Sequence, residues 1–229
     1  MSVLVLTLFN ISLTLLAYIG AKVLSKHYPN PFTTPVLTAT IIIIFVFKIA
    51  DMSYVQYTPA KEWLTYLLGP ATVALAVPMY QNQKILKEKA RLALLCLTIG
   101  SLATIASAII LSKLFNLSEQ IQAAAAVKAV TTPVAIEIVS MIGGDPSLAA
   151  VLVITAGIFG AAFGPLCLSL FKIDDPFSRG LGIGTVSHGI GTSQAVVEGP
   201  LQGAVSSIAM GAAAILTSMI LPLIYNLFF

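Results

Sequence analysis

Charge is what this sequence has least of: 9% of its 229 residues are Asp, Glu, Lys or Arg, against roughly a quarter in soluble domains. A water-facing surface cannot be built from so few ionic groups. With 58% hydrophobic residues and a mean hydropathy of +0.97, the chain reads as an all-α polytopic membrane protein whose main partner is the lipid bilayer. The 12 basic and 9 acidic residues form no long single-sign block, which argues against nucleic acid as a partner. Cysteine is nearly absent, and Cys96 and Cys167 both fall in apolar runs, so neither a disulfide framework nor a thiolate metal site is expected. G-x-S-x-G and H-E-x-x-H are both missing. An enzyme is therefore not expected, and neither is a metal or other cofactor. The first residues, MSVLVLTLFN, carry no basic stretch ahead of the apolar run and no Arg/Ser-rich transit region. The first segment is expected to stay in the mature protein, in a bacterial-type plasma membrane.

What is present is a series of apolar runs, each near the roughly 20 residues needed to cross a bilayer core. Eight can be laid out, at about 2–24, 32–50, 60–80, 90–114, 119–142, 147–171, 177–198 and 202–228. The connections are short, so 1–229 is read as a single transmembrane domain. Segment 3 carries Gly69-Pro70 and Pro78, segment 5 carries Thr131-Thr132-Pro133, and segment 7 is glycine-rich. Pro removes an N–H and Gly loosens the backbone, so each of the three is expected to be interrupted. The pattern L-G-x-x-T-V-(x)7-Q occurs at Leu68 to Gln81 and again at Leu181 to Gln194. It suggests two four-segment halves, near 1–115 and 116–229, with segments 3 and 7 in corresponding places. Interrupted segments so paired point to a transporter's binding site. Segments 3 and 7 could cross the membrane or fold back as re-entrant hairpins, and the loop charges fit both equally well.

The densest polar stretch is Pro176 to Pro200, PFSRGLGIGTVSHGIGTSQAVVEGP. It places Ser187, His188, Thr192 and Gln194 among glycines that include Gly189 and Gly191. Backbone at bilayer depth needs partners, so such a segment belongs where protein or a wet cavity covers it. Ser187 and His188 are adjacent, about 100° apart on a helix, and do not make a hydrolase dyad. His188 suits hydrogen bonding to a polar ligand or proton movement instead. Lys128 and Glu137 lie within segment 5, where an ionisable group is a functional candidate by default. On a continuous helix they would face opposite ways. Thr131-Thr132-Pro133 has the residue types of a helix start, Thr as cap and Pro in the first turn. Its exposed N–H groups, with Lys128 just before them, would form an anion site. A small carboxylate is the expected ligand. Asp145 in Gly143-Gly144-Asp145-Pro146-Ser147 reads as a turn that caps segment 6, and Gly157, Gly160 and Gly164 as a small-residue packing face.

The stretches KAVTTPVAIEIVSMIGGDPSLAAVLVITAGIFGAAFGP and DPFSRGLGIGTVSHGIGTSQAVVEG resemble the signature regions of the LrgB/CidB family. The resemblance runs from Gly69-Pro70 and AVPMYQ to the end of the chain. It implies either transport of small monocarboxylates such as pyruvate, glycolate, glycerate or lactate, or an antiholin-like role in murein hydrolase export and autolysis. It further implies an LrgA/CidA-type partner, and a homo-oligomer is expected. Carried onto matching positions, it points to Thr131, Thr132, Pro133 and Glu137 in TTPVAIE and to Ser187, His188, Gly189, Gly191 and Thr192 in SHGIGT. The latter motif continues as Ser193-Gln194-Ala195, and Gln194 stands where the family pattern leads one to expect an arginine. That loss of a positive charge gives Lys128 more weight in any carboxylate site, with Glu137 or His188 as the proton-coupling group.

Overall fold

A computed structural model describes residues 3–28 and 30–228, and among these every regular element is a helix. The helices are α1 (Val3–His27), α2 (Pro35–Ile49), α3 (Tyr54–Tyr66), α4 (Leu68–Ala74), α5 (Ala76–Gln81), α6 (Gln83–Glu88), α7 (Ala90–Leu114), α8 (Glu119–Ala126), α9 (Thr132–Met141), α10 (Pro146–Leu170), α11 (Pro176–Glu198) and α12 (Pro200–Phe228). Among the described residues, five stretches are long and apolar enough to cross a membrane: α1, Tyr54–Gln81, α7, α10 and Pro200–Tyr225. The protein is an all-α, multi-pass membrane protein. The expected interruptions are present. Segment 3 breaks at Leu67 and Leu75, segment 5 between Ala126 and Thr132, and segment 7 at His188.

The chain forms two compact units, Met1–Val77 and Pro78–Phe229. In the first, α1 packs against α2 through Ala17, Ala21 and Ala39, and against α3. Asn10 is fully buried there, and its Nδ2 donates to the Gln56 carbonyl at 2.9 Å.

In the second unit, contacts far apart in sequence show that two of the interrupted segments turn back on themselves. Arg179, near the start of α11, pairs with Glu198 at its end, with Nε to Oε2 at 2.8 Å. Nineteen residues of straight helix would hold them about 28 Å apart. The reversal sits at His188, which has φ 41 and ψ −138. At Gly191 an added Cβ would meet Ile183 Cγ2 at 3.0 Å, eight residues back. Segment 5 behaves in the same way, since an added Cβ at Gly144 would lie 2.8 Å from the Ala123 Cβ. A straight run between those positions would span roughly 30 Å.

Close contacts also fix the helix directions. From Gly157 to Gly160, α10 descends past His188 and Ser187, so it runs antiparallel to the first arm of α11. Gly180 and Gly184 lie against the backbone of Gln202 and Ser206, so that arm and the start of α12 run parallel. Gly100 of α7 faces Thr185. The unit therefore has three long helices, α7, α10 and α12, and two hairpins that enter from opposite ends. The α8–α9 hairpin opens where α7 ends and α10 begins. The α11 hairpin opens where α10 ends and α12 begins. Each arm, of eight to about twelve residues, reaches roughly half of a 30 Å hydrocarbon core.

Candidate functional site

The tip of the first hairpin is Val127 to Thr131. Thr131 is extended, with φ −66 and ψ 147, α9 starts at Thr132, and Pro133 lies in its first turn, the mid-segment helix start that the residue types predict. The Thr131 side chain makes no capping bond. The N–H groups of Thr132 and Val134 therefore have no partner within the helix, and they carry the positive end of its dipole. Lys128 precedes them. Its Nζ donates to the Thr104 carbonyl of α7 at 3.0 Å, and among the described residues no carboxylate pairs with it. An unneutralised ammonium beside a helix start is an anion-attracting arrangement within an apolar unit.

The second tip is His188, where three polar side chains are all but sealed from solvent: Ser187 and His188 are 3% exposed and Thr192 2%. His188 Nε2 lies 2.9 Å from the Val153 carbonyl of α10. A carbonyl only accepts, so Nε2 carries the proton and Nδ1 of the neutral ring is left as an acceptor. Thr192 Oγ1 donates to the His188 carbonyl at 2.8 Å and lies 2.9 Å from Ser206 Oγ on α12. Close approach of α10 depends on glycine. A Cβ on Gly157 would meet His188 Nε2 at 2.7 Å, and one on Gly160 would meet the Ser187 Cβ at 2.6 Å.

Both tips end against the same turn of α7. Gly100 faces Thr185 of the second hairpin, and Thr104 bonds Lys128 of the first. Between them lies Ser101, 3% exposed, whose Oγ has no hydrogen-bond partner among the described residues. A buried hydroxyl without a partner is uncommon and costs about 1–3 kcal/mol. Val153 of α10 also serves both tips. Its carbonyl takes the His188 bond, and its side chain belongs to the same buried cluster as Val127 and Val130.

The residues singled out from sequence are distributed unevenly over this frame. Lys128, Thr131 and Thr132 sit together at one tip, and Ser187, His188, Gly191 and Thr192 at or just behind the other. Pro133 and Gly189 are exposed, Gln194 is half-buried on the returning arm, and Glu137 is exposed on α9. Ser101 and Thr104 escape a motif search because they are ordinary helix hydroxyl residues. Ser101 has one signal, its spacing: with Leu97, Ile105, Ala108, Ile109 and Ser112 it forms the buried stripe of α7, which leaves Thr104 half-buried beside it. The Arg179–Glu198 pair is equally hidden. Asp145 caps α10 as its turn motif predicts, accepting from Ser147 N at 2.7 Å and Leu148 N at 3.2 Å.

The mouth of the second hairpin is tied by polar groups. Arg179 is bidentate to Glu198 and also donates to Ser169 Oγ at 3.2 Å, the Ile173 carbonyl at 3.1 Å and the Pro165 carbonyl at 3.3 Å. Asp175 caps α11. Hydrogen bonds from the Ser178 hydroxyl and N–H, with Lys89 3.7 Å away, hold its carboxyl below the usual carboxylate range.

Comparison with known proteins bears on nearly the whole chain. A family model described as LrgB-like family matches residues 14–227. The Bacillus subtilis proteins YxaC and YwbG are 37% and 34% identical over 218 and 214 residues, covering 95% and 93% of this chain and 95% of each relative. A Staphylococcus aureus protein named holin-like protein CidB is 31% identical over 222 residues, 97% of both chains. No solved structure matches.

Proposed function

The chain belongs to the LrgB-like family, and from that premise we propose that it is a carrier moving a small monocarboxylate of the pyruvate, glycolate, glycerate or lactate class across the plasma membrane of a bacterium. One observation carries the reading: the Lys128 ammonium, with no carboxylate partner among the described residues, bonds the Thr104 carbonyl about one helical turn along α7 from Ser101, whose buried hydroxyl has no partner, between two oppositely entering hairpins. A carboxylate at the first tip would accept from Lys128 and from the open N–H groups of Thr132 and Val134, and Ser101 would supply a further hydrogen bond. Lys128 would exchange its Thr104 carbonyl for the ligand. Ser187, His188 and Thr192 would form the opposite wall. Two hairpins entering from opposite ends supply two thin barriers, one on each side of a midplane site, as alternating access requires. His188, buried at a tip, is the better-placed proton carrier, whereas Glu137 would act from the exposed face of α9. The chemistry is binding and release, with no covalent step.

Uptake of radiolabelled carboxylate into proteoliposomes tests the reading. Wild-type uptake should saturate, Lys128→Met should abolish it at unchanged expression, and Ser101→Ala should weaken apparent affinity by roughly tenfold, as for one lost hydrogen bond to a charged group. Normal uptake in Lys128→Met would remove the basis of the proposal.

A second reading is favoured by the name holin-like protein CidB among the relatives: a regulator of murein hydrolase export that assembles with itself or with an LrgA/CidA-type partner. It predicts leakage of unrelated solutes from the same proteoliposomes, insensitive to Lys128→Met.

A further inference from the structure

We propose that the unit Pro78–Phe229 binds one acyl chain of an anionic phospholipid in a slot between α7, the first arm of α11 and α12. The slot is a cavity of about 570 Å³ whose walls are almost wholly apolar, with Leu94 and Leu97 from α7, Leu181 from α11, and Ile208 and Ala212 from α12. It runs from Ala90 to Leu97 on one wall and from Val205 to Ala212 on another, seven residues of helix in each case and so about 10 Å deep. Polar groups gather at one end only, where Tyr80, Gln83 and Lys87 complete the lining. Lys87 makes no ion pair or hydrogen bond among the described residues. Lys84 and Arg91 flank it, both exposed, and Lys89 is already engaged with Asp175 and with the Phe177 ring, whose centroid is 4.9 Å from its Nζ.

An apolar shaft with a cationic rim fits an amphiphile with a negative head. A soluble anion has no use for the shaft, and a zwitterionic lipid gains little from the lysines. A partner's transmembrane helix would need roughly 30 Å of open groove, and this slot is only about 10 Å deep. Clustered basic residues at the end of a membrane bundle attract anionic headgroups in the same way, each contributing about fivefold in affinity.

Native mass spectrometry of the full-length, delipidated protein tests this, with phosphatidylglycerol and phosphatidylcholine of matched chains and with glycerol phosphate alone. Expected is retention of one phosphatidylglycerol in clear preference to phosphatidylcholine, and no retention of glycerol phosphate. Lys87→Gln should cut the preference roughly fivefold, and filling the shaft by Ala93→Phe should abolish retention of either lipid. Equal retention of the two lipids, or an unchanged preference in Lys87→Gln, would overturn the proposal. So would binding of glycerol phosphate as tight as that of the lipid. A change of oligomeric mass in Ala93→Phe with lipid retention intact would assign the face to a second copy and overturn it too.

Discussion

His188 holds a backbone conformation that its side chain disfavours. With φ 41 and ψ −138, it lies in territory that glycine occupies freely and other residues enter at a cost of about 1–3 kcal/mol. Two bonds hold it there, from its ring to Val153 and from Thr192 to its carbonyl. The chain keeps a histidine at the hairpin apex where its neighbour Gly189 would turn more easily, which is the pattern of a side chain retained for what it does at the tip. The strain makes an inverted prediction. In a helix interior, Gly is less stable than Ala by about 1 kcal/mol. At position 188 both substitutions lose the ring and its hydrogen bond, and only Gly also relieves the backbone. His188→Gly should therefore unfold at a higher temperature in detergent than His188→Ala, by the equivalent of about 1 kcal/mol or more. The reverse order would mean that the apex is an ordinary helical turn.

At the level of elements, the second hairpin is closed by a clamp. Arg179 and Glu198 are 12% and 14% exposed at the side chain, and the guanidinium spreads its donors over both arms, the end of α10 and the following loop. Removing one member of a buried pair leaves an uncompensated charge, which costs about 3–5 kcal/mol when burial is complete; the residual exposure here puts Arg179→Met at the lower end. The double variant Arg179→Met with Glu198→Leu should recover most of that loss in thermal unfolding. A double variant no better than the single one would show that the pair's worth lies in its other bonds. The clamp also marks the limit of what sequence makes legible. Runs of apolar residues announce α1, α7, α10 and α12 within a few residues, because bilayer thickness fixes their length. Gly and Pro announce the breaks, and Thr131 to Pro133 announces the start of α9. The direction the chain takes after a break is not local information. It depends on Arg179 finding Glu198 and on Gly144 admitting Ala123, contacts between residues that no window of sequence brings together. Hence the L-G-x-x-T-V repeat draws attention to segments 3 and 7, whereas the fold-back is shared by segments 5 and 7. Ser101 is illegible for a related reason. A helical serine usually bonds its own preceding carbonyl, and only the packed structure shows that this one does not.

For the second unit as a whole, hairpin geometry changes what the charges mean. Lys84, Lys87, Lys89, Arg91, Lys172 and Arg179 gather at the end where α7 begins and α10 finishes, and Lys113 stands at the other. Read over eight crossings, the loop charges balance; read over three long helices and two hairpins, the positive-inside rule predicts that the lysine-rich end faces the cytoplasm. Single cysteines in a background with Cys96→Ala and Cys167→Ala test orientation and fold-back together. Ser118→Cys and Met141→Cys flank the first hairpin, and Asp174→Cys and Pro200→Cys the second; all four positions are exposed. A membrane-impermeant maleimide should label the first pair only from outside the cell and the second pair only in inverted vesicles. If segments 5 and 7 crossed the membrane instead, each pair would split between the two preparations. If the pairs held together but exchanged sides, the hairpins would stand and the orientation would reverse, which would move the lipid slot's basic rim to the outer leaflet.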